Sequence, residues 1–350
     1  MSSAKPITII GGGLAGLTLG IGLRQRGVPV TIWEAGRYPR HRVCGEFISG
    51  NGQAVLARLG LLARCQQAGA VPARTVMFVC GPHRSPVRPL AAPALCLSRH
   101  KLDALLAETF RHTGGELREQ ARWTTAEAGE GLVYAAGRRP QPVDKSPRWF
   151  GLKAHVPRHG AVPLEADLEM HVMRDGYIGV NRINDGEVNV CGLFRVRADE
   201  WQPESKAERL RGDPGSRLRE RLRLAEFDPD SFCSVAGLPL RPQRAAARAE
   251  CCIGDRLTMT PPVTGNGMSM AFESAELAVA PLADYSQGRL DWLGARQRLA
   301  QGCDAAFARR LVWARHLQWM LLAPALQGRL GARLLRSEWL WRFLFERTRY

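Results

Sequence analysis

Gly11, Gly13 and Gly16 stand in the spacing G-x-G-x-x-G, and Glu34 follows the last of them by 18 residues. Such a loop suits a dinucleotide pyrophosphate. The first glycine permits a tight turn, the second lets the phosphates approach the backbone, and the third lets a helix pack closely on a strand. The start of that helix offers partial positive charge to the phosphates, and the acid accepts hydrogen bonds from an adenosine ribose. These roles need a strand before the loop, a helix after it and a second strand ending at the acid. Ile7-Thr8-Ile9-Ile10 reads as the first strand, Leu17 to Arg26 as the helix and Val28 to Trp33 as the second strand. The glycines argue against reading the apolar run behind Lys5 as a secretory signal. This unit alone does not separate FAD from NAD.

A second, distant contact is available at Gly254-Asp255. Glu250 to Asp255 reads as a short buried strand, and Pro261-Pro262-Val263-Thr264-Gly265-Asn266-Gly267-Met268 leads into a helical run from Ser269 to Leu282. An acid at a strand end can hold a ribityl hydroxyl, and the positive end of the next helix can face the pyrimidine edge of a flavin.

With Ser98-Arg99 and the following Asp103 and Leu106, these motifs resemble those of the superfamily of aromatic-ring monooxygenases and geranylgeranyl reductases. The resemblance implies FAD as cofactor. It implies that Arg99 contacts FAD near its phosphates or ribityl chain, Asp255 the ribityl chain, and the loop of Pro262, Gly265, Asn266, Gly267 and Met268 the isoalloxazine. Ser98 also reads simply as a helix cap, which is compatible with that role. Arg42-Val43-Cys44-Gly45-Glu46-Phe47 and the pair Gly151 to His155 with Asp175 to Gly179 are similar to the geranylgeranyl-reductase-like branch. That similarity adds Arg42 to the cofactor contacts and places the Cys44-Gly45 segment beside the isoalloxazine. About sixty C-terminal residues match poorly.

Two features depart from relatives of this kind. Ala136 stands where monooxygenases of the superfamily carry an Asp associated with FAD and NAD(P)H, so NAD(P)H is an open question as electron donor. The W-x-W-x-I-P signature of flavin halogenases is absent, although Trp339 and Trp341 have its first spacing, and halogenation is rejected at this stage. Candidate catalytic residues are Cys44, Glu46 and Tyr177. Cys44 is a pocket thiol or a small buried hydrophobe, and Glu46 an acid or base if desolvation raises its pKa, or otherwise a loop hydrogen-bonder. Tyr177 and His155 are proton donors if they face the pocket, and structural otherwise.

The elements that must position these residues point to an α/β fold: a glutathione-reductase-type, Rossmann-like FAD-binding domain, a β-sheet substrate domain and a C-terminal helical region. The FAD-binding domain is expected in three pieces, 1–70, 95–137 and 235–285. The substrate domain is expected over 71–94 and 138–234, and the helical region over 286–350. Val76 to Val79, Trp149 to Val156, Leu168 to Met173, Tyr177 to Asn181 and Glu187 to Arg195 read as strands of a pocket wall, with Asn184-Asp185-Gly186 as a hairpin turn. Pro203 to Leu224 reads as a solvated helical cover.

Charge and cysteines bound the rest. The chain of 350 residues has a formal net charge of +16, and only five of its 49 basic residues are lysines. No zinc finger, aromatic RNA-binding signature or basic run interleaved with stacking aromatics accompanies that charge, so nucleic acid is not an expected partner. The nine cysteines show no C-x-x-C spacing and read as reduced thiols of a cytoplasmic protein, with no metal site. No run approaches the roughly 20 apolar residues that span a bilayer. Residues 289–350 hold twelve arginines against four acids, and five of the nine tryptophans. Helices there, such as Ala305 to Leu322 and Leu330 to Phe345, would either cover the pocket or lie on an anionic membrane surface.

The expectation is an FAD-dependent oxidoreductase acting on a bulky apolar substrate. Its preferred chemistry is monooxygenation of an aromatic or polyketide-like ring through a flavin C4a-hydroperoxide. Reduction of isoprenoid double bonds is the runner-up, and a flavin-holding electron carrier or membrane-binding module is a third possibility. Oligomeric state is not read from the sequence.

Overall fold

The structure, a computed structural model, describes residues 4–124, 129–138, 148–160, 162–197, 205–238, 243–323 and 336–349. Its strands are β1 (Ile7–Ile10), β2 (Val30–Trp33), β3 (Phe47–Ile48), β4 (Val71–Cys80), β5 (His83–Arg84), β6 (Arg88–Cys96), β7 (Glu116–Arg118), β8 (Leu132–Tyr134), β9 (Arg148–Val156), β10 (Leu168–Met173), β11 (Gly176–Ile183), β12 (Glu187–Val196), β13 (Cys233–Ala236) and β14 (Cys251–Cys252). The helices are α1 (Leu14–Arg24), α2 (Asn51–Arg58), α3 (Leu62–Gln67), α4 (Arg99–His112), α5 (Lys206–Leu210), α6 (Arg217–Leu222), α7 (Gly267–Ser286), α8 (Trp292–Leu322) and α9 (Glu338–Arg349).

Two sheets carry the molecule. The first is wholly parallel in the order β14-β8-β1-β2-β7. Its central strand, Ile7-Thr8-Ile9-Ile10, is rich in β-branched residues, and α1, buried from Leu14 to Leu23, crosses from β1 to β2. All three expected cofactor-binding pieces contribute strands to it. The second sheet runs β13-β9-β12-β11-β10-β4-β6-β3, antiparallel except for the β10–β4 pair. β3 comes from the 1–70 piece yet pairs with β6 of the second sheet, so the segment before it bridges the two sheets.

Alternation along β9 decides what each face of the second sheet does. Phe150, Leu152, Ala154 and Val156 point to one side, where α5 and α6 bury them with Leu210, Leu218 and Leu222. Lys153 and His155 point to the other side, toward the bridging segment. The expected cover over 203–224 is therefore present as α5 and α6, while residues 203 and 204 lie outside the described residues. The hairpin turn joins β11 to β12 as the sequence suggests, with φ of 37° at Asn184 and 59° at Asp185. Asn184 also accepts the Ser98 N–H at 3.0 Å, and the Ser98 hydroxyl caps α4 by accepting from Lys101 N at 3.2 Å.

The C-terminal helices are integral to this arrangement. α8 buries Ala295, Leu299, Cys303, Phe307, Leu311 and Ala314 at helical spacing. α9 is described from Glu338, and residues 330–335 of the helix expected from Leu330 lie outside the described residues. Among the described residues, no helix is long and apolar enough to cross a membrane.

Candidate active site

The glycine loop forms at the end of β1. Gly11 has φ of 106°, and a Cβ there would stand 2.5 Å from Ala136 Cα, so Ala136 lies directly against the turn. A Cβ at Gly16 would meet Gly11 O at 2.0 Å, which is the close approach of helix to strand that the spacing implies. At Gly13 a Cβ would meet nothing within 4 Å. Gly13 is also the N-cap of α1 and supplies no side chain, so the first-turn N–H groups are left for a ligand.

Glu34 closes one end of this cradle. It accepts Gly12 N–H at 2.9 Å and Gly36 N–H at 2.7 Å, and Arg40 lies 2.7 Å away. Burial alone would raise its pKa, but the Gly36 hydrogen bond and the Arg40 charge outweigh it and hold the carboxyl below its usual range. A carboxylate has about four acceptor positions, so one remains for a ribose hydroxyl. The Tyr38 hydroxyl donates to the Gly12 carbonyl, fixing the loop from the same side.

Three arginines converge beyond Glu34. Arg99 grips the buried Asp103 through two hydrogen bonds of 2.7 and 2.8 Å, and Arg42 Nε lies 3.5 Å from the same carboxylate. Arg40 Nε and Arg42 Nε are buried atoms that make no hydrogen bond. Orphaned cationic donors beside an open glycine loop fit the pyrophosphate of FAD. Asp255 stands opposite. Its side chain is exposed, yet surrounding protein raises its pKa against the opposing pull of Arg99 and Arg138, as expected on the floor of a deep cleft.

The loop before α7 turns through Pro262–Thr264 and reaches Gly265 at φ of 65°. A Cβ at Gly265 would stand 2.1 Å from the Phe47 ring, so the bridging segment packs directly on this loop. Ser269 Oγ donates to the Ser49 carbonyl, and Ser49 Oγ lies 3.4 Å from Asn266 Oδ1. Asn266 caps α7 without a side-chain hydrogen bond to it, which leaves first-turn N–H groups for a ring edge. Met268 is 5% exposed and packs into the core around α1, which leaves its backbone as the part of it on the loop.

Glu46 also departs from expectation. It is wholly buried at φ of 56°, and its carboxylate accepts Arg99 N–H at 2.8 Å while lying 3.0 Å from Lys153 Nζ and 2.7 Å from His155 Nε2. Burial pushes its pKa up, but the His155 hydrogen bond and the Lys153 charge push harder, and the net shift is downward. The raised pKa required of a general acid is absent, and Glu46 is a held anion. Lys153 was missed as a site residue. Its signal was present in the sequence: a rare lysine in an apolar strand, two residues from a histidine and therefore on the same face.

Cys44 is half-buried and packs against the core that holds α1. Its Sγ accepts Glu46 N–H at 3.4 Å, its carbonyl accepts from Asn189 Nδ2 at 3.2 Å, and burial raises the thiol pKa against the pull of Arg99. Tyr177 is not brought to this set. It packs with Leu193, Leu238 and Val263 in an apolar cluster reached by Met259 before the flavin loop and by Leu317 and Leu321 of α8. Burial raises the pKa of its hydroxyl well above the ordinary value.

Residues 4–142 match the family model described as FAD binding domain. The cofactor is FAD. No curated protein sequence matches the chain. The flavin-dependent brominase Bmp2 has a similar structure, with a TM-score of 0.74 and 18% identity over 99% of this chain and 93% of that one. PqsL, described as a probable FAD-dependent monooxygenase from Pseudomonas aeruginosa, gives 0.64 and 16% over 99% and 100%. The halogenase PltM, in complex with ethyl mercury and mercury, gives 0.72 and 14% over 98% and 83%. At these identities the likeness is one of fold. The α/β architecture, with its flavin domain, second sheet and C-terminal helices, has the fold found in these flavin halogenase and monooxygenase structures.

Proposed function

We propose that the protein is an FAD-dependent oxidoreductase that hydroxylates a bulky apolar, aromatic or polyketide-like substrate. The carrying observation is the apolar cluster of Tyr177, Leu193, Leu238 and Val263, with Trp149, Met170 and Met259, set between the second sheet and the flavin loop. Such a cluster gives a ring held at the flavin loop apolar surroundings.

In this reading the α1 N-terminus and Gly13 hold the pyrophosphate, Glu34 a ribose hydroxyl, and Arg42 and Arg99 the phosphates or ribityl chain. Asp255 holds the ribityl hydroxyls, and the Gly265–Gly267 backbone faces the isoalloxazine. Bound FAD, once reduced, supplies the electrons that activate oxygen. The protein orients the ring against it, keeps Tyr177 protonated and holds Glu46 as an anion behind the wall.

The partner that the C-terminal region fits is an anionic membrane surface, since Trp319 and Trp339 are 71% and 72% exposed beside exposed Arg315 and Arg342. The protein is then cytoplasmic and peripheral.

The decisive experiment reduces the FAD-loaded protein anaerobically, adds oxygen, and follows flavin reoxidation and incorporation of labelled oxygen into 1-naphthol. NADH and NADPH are compared as donors, and bromide and chloride are included in parallel arms. Fast reoxidation with label in the product supports hydroxylation. Oxygen-inert reduced flavin that reduces an isoprenoid double bond would transfer the assignment to a reductase, and a halogenated naphthol would transfer it to a halogenase.

A further inference from the structure

Among the described residues the strands of the second sheet hold Gly151, Gly176, Gly179 and Gly192, and at three of these the space of the missing side chain is taken. Val43 and Val235 fill it at Gly151, and Phe194 and Ile178 at Gly192, while a Cβ at Gly176 would stand 1.9 Å from Leu193 O. Gly179 differs. A Cβ there would meet nothing closer than the main-chain oxygens of Cys191 at 3.7 Å and Glu169 at 4.0 Å, both on the strands paired with β11. Glycine weakens a strand interior, and it marks a bulge or the close approach of another backbone or of a ligand. β11 pairs with β10 and β12 without a register shift, and no third backbone approaches Gly179, which leaves the ligand.

Strand pairing sets Gly179 in one row with Cys191, Met170 and Phe78, on the face that carries Lys153. All four are half-buried in the middle of the sheet. The same-face rows on either side, Leu193, Tyr177 and Val172, and Asn189, Asn181 and Leu168, are buried. With strands about 4.8 Å apart, the open row is a trough about 14 Å long. The flavin loop reaches both of its walls. Val263 packs with Tyr177, Leu193 and Met170 on one side, and the Phe47 ring, which abuts Gly265, packs on Val76 and Leu168 on the other. Burial raises the Cys191 thiol pKa well above its ordinary value although the residue is only half-buried, as on the floor of a deep trough.

We propose that the substrate ring lies in this trough, flat on the β11 backbone, and that Gly179 sets the size of ring accepted. The inference rests on the hydroxylation reading above and narrows its substrate to a flat, uncharged, fused-ring aromatic. Only a residue without a side chain lets a ring face approach the sheet backbone, and the trough is long enough for two or three fused rings. Cys191 and Met170 flank Gly179 in the row, and their sulfur atoms suit contact with aromatic edges. Lys153 closes one end, but it is wholly buried and lies 3.0 Å from Glu46, so it offers no counter-charge to an anionic substrate.

The test titrates the oxidised, FAD-loaded protein with 1-naphthol and with phenol, reading binding by equilibrium dialysis and by the change in flavin absorbance. Gly179 has no left-handed backbone to strain, so Gly179→Val should keep its FAD content and melting temperature. It should weaken 1-naphthol binding about tenfold or more and phenol binding less than about threefold. Gly179→Ala, whose methyl sits at ordinary contact distance, should show the same order with a smaller loss, and it carries the test if the valine variant does not fold. In the wild type 1-naphthol should also shield Cys191 from methyl methanethiosulfonate, read by mass spectrometry of its peptide. Wild-type naphthol affinity in the folded, yellow variants would overturn the site, as would a wild type that binds no 1-naphthol or whose Cys191 labels equally with it. No turnover enters the measurement. Binding that Gly179→Val abolishes, with no labelled oxygen in naphthol, would keep the trough and reject hydroxylation, whereas hydroxylation by Gly179→Val with an unchanged KM would do the reverse.

Discussion

Arg310 of α8 and Glu273 of α7 meet as a buried pair, with Nη1 3.0 Å from Oε2 and Nη2 3.0 Å from Oε1. Asn51 of α2 donates to the same carboxylate at 3.2 Å. The contact fastens the C-terminal region to the helix whose first turn carries the flavin loop. Removing one partner leaves an uncompensated buried charge, so Arg310→Leu should lose about 3 kcal/mol or more of stability in urea unfolding. The Arg310→Leu/Glu273→Leu double variant should recover most of it. An unchanged urea midpoint in the single variant would remove this pair from the account of how the tail is held.

Gly13 and Gly16 should fail in different ways. A side chain at Gly13 meets open space, so Gly13→Val should melt like the FAD-free wild type and purify colourless, because the valine occupies pyrophosphate volume. A methyl at Gly16 would stand 2.0 Å from Gly11 O, and Gly16→Ala should lower the melting temperature as well as FAD content. A fully yellow Gly13→Val protein would contradict the loop assignment.

What the sequence made legible was local. The glycine loop, Glu34, the Ser98 cap and the Asn184-Asp185-Gly186 turn each depend on residues close in the chain or on one regular period. The sign of the Glu46 shift was not legible, because His155 lies 109 residues away and Lys153 nearly as far, and only the pairing of β9 brings them together. Burial alone predicts a rise, and the partners reverse it. The packing of Met268 was not legible for a similar reason: its backbone belongs to the loop, while its position on α7 turns the side chain into the core. Arg310 is one of twelve tail arginines, and nothing in its neighbours marks it as buried.

Glu169 gives a pH prediction. It is 2% exposed, accepts from Arg221 Nη2 at 2.6 Å and lies 2.9 Å from His171 Nε2. Burial raises its pKa, but the His171 and Arg221 hydrogen bonds outweigh that and bring it to about 2 from 4.5. The folded-state value is depressed, so the stabilisation is present above about pH 4.5 and is lost as pH falls toward 2. Its size is up to about 3 kcal/mol. Urea unfolding should show a gap between wild type and Glu169→Gln at pH 7 that narrows steadily below pH 4.5. A gap independent of pH would mean that the carboxylate's charge is not what holds α6 to β10.

Cys44 should report cofactor occupancy. Burial raises its thiol pKa, so N-ethylmaleimide should label it slowly at pH 7 and faster as pH rises. On the proposed placement of its segment beside the cofactor, added FAD should protect it, as measured by mass spectrometry of its peptide in apo and loaded protein. Equal labelling with and without FAD would move Cys44 away from the cofactor.

The C-terminal tryptophans divide into packed and exposed sets, which sharpens the membrane expectation. Trp341 lies 5.5 Å from Phe78 under the Arg88 guanidinium, and Trp313 meets Phe343 at 5.2 Å, so both are tied to the fold. Trp319 and Trp339 are exposed, with Arg309, Arg315 and Arg342 exposed on the same two helices. Each arginine near an anionic surface contributes about 1 kcal/mol, and this attraction decays over a Debye length of about 8 Å at physiological salt. Burial of the indole rings adds a part that salt does not screen. Sedimentation with phosphatidylserine-containing vesicles should therefore show binding that weakens with salt without vanishing, and weaker binding to phosphatidylcholine alone. Trp319→Ser should weaken the salt-resistant part while FAD content and melting temperature stay unchanged, because that ring is exposed; Trp339 also stacks on Phe343 at 5.4 Å, so Trp339→Ser should weaken membrane binding and loosen α9 together. Equal recovery in the supernatant with and without anionic vesicles at low salt would sink the membrane reading and leave α8 and α9 as a cover of the pocket alone.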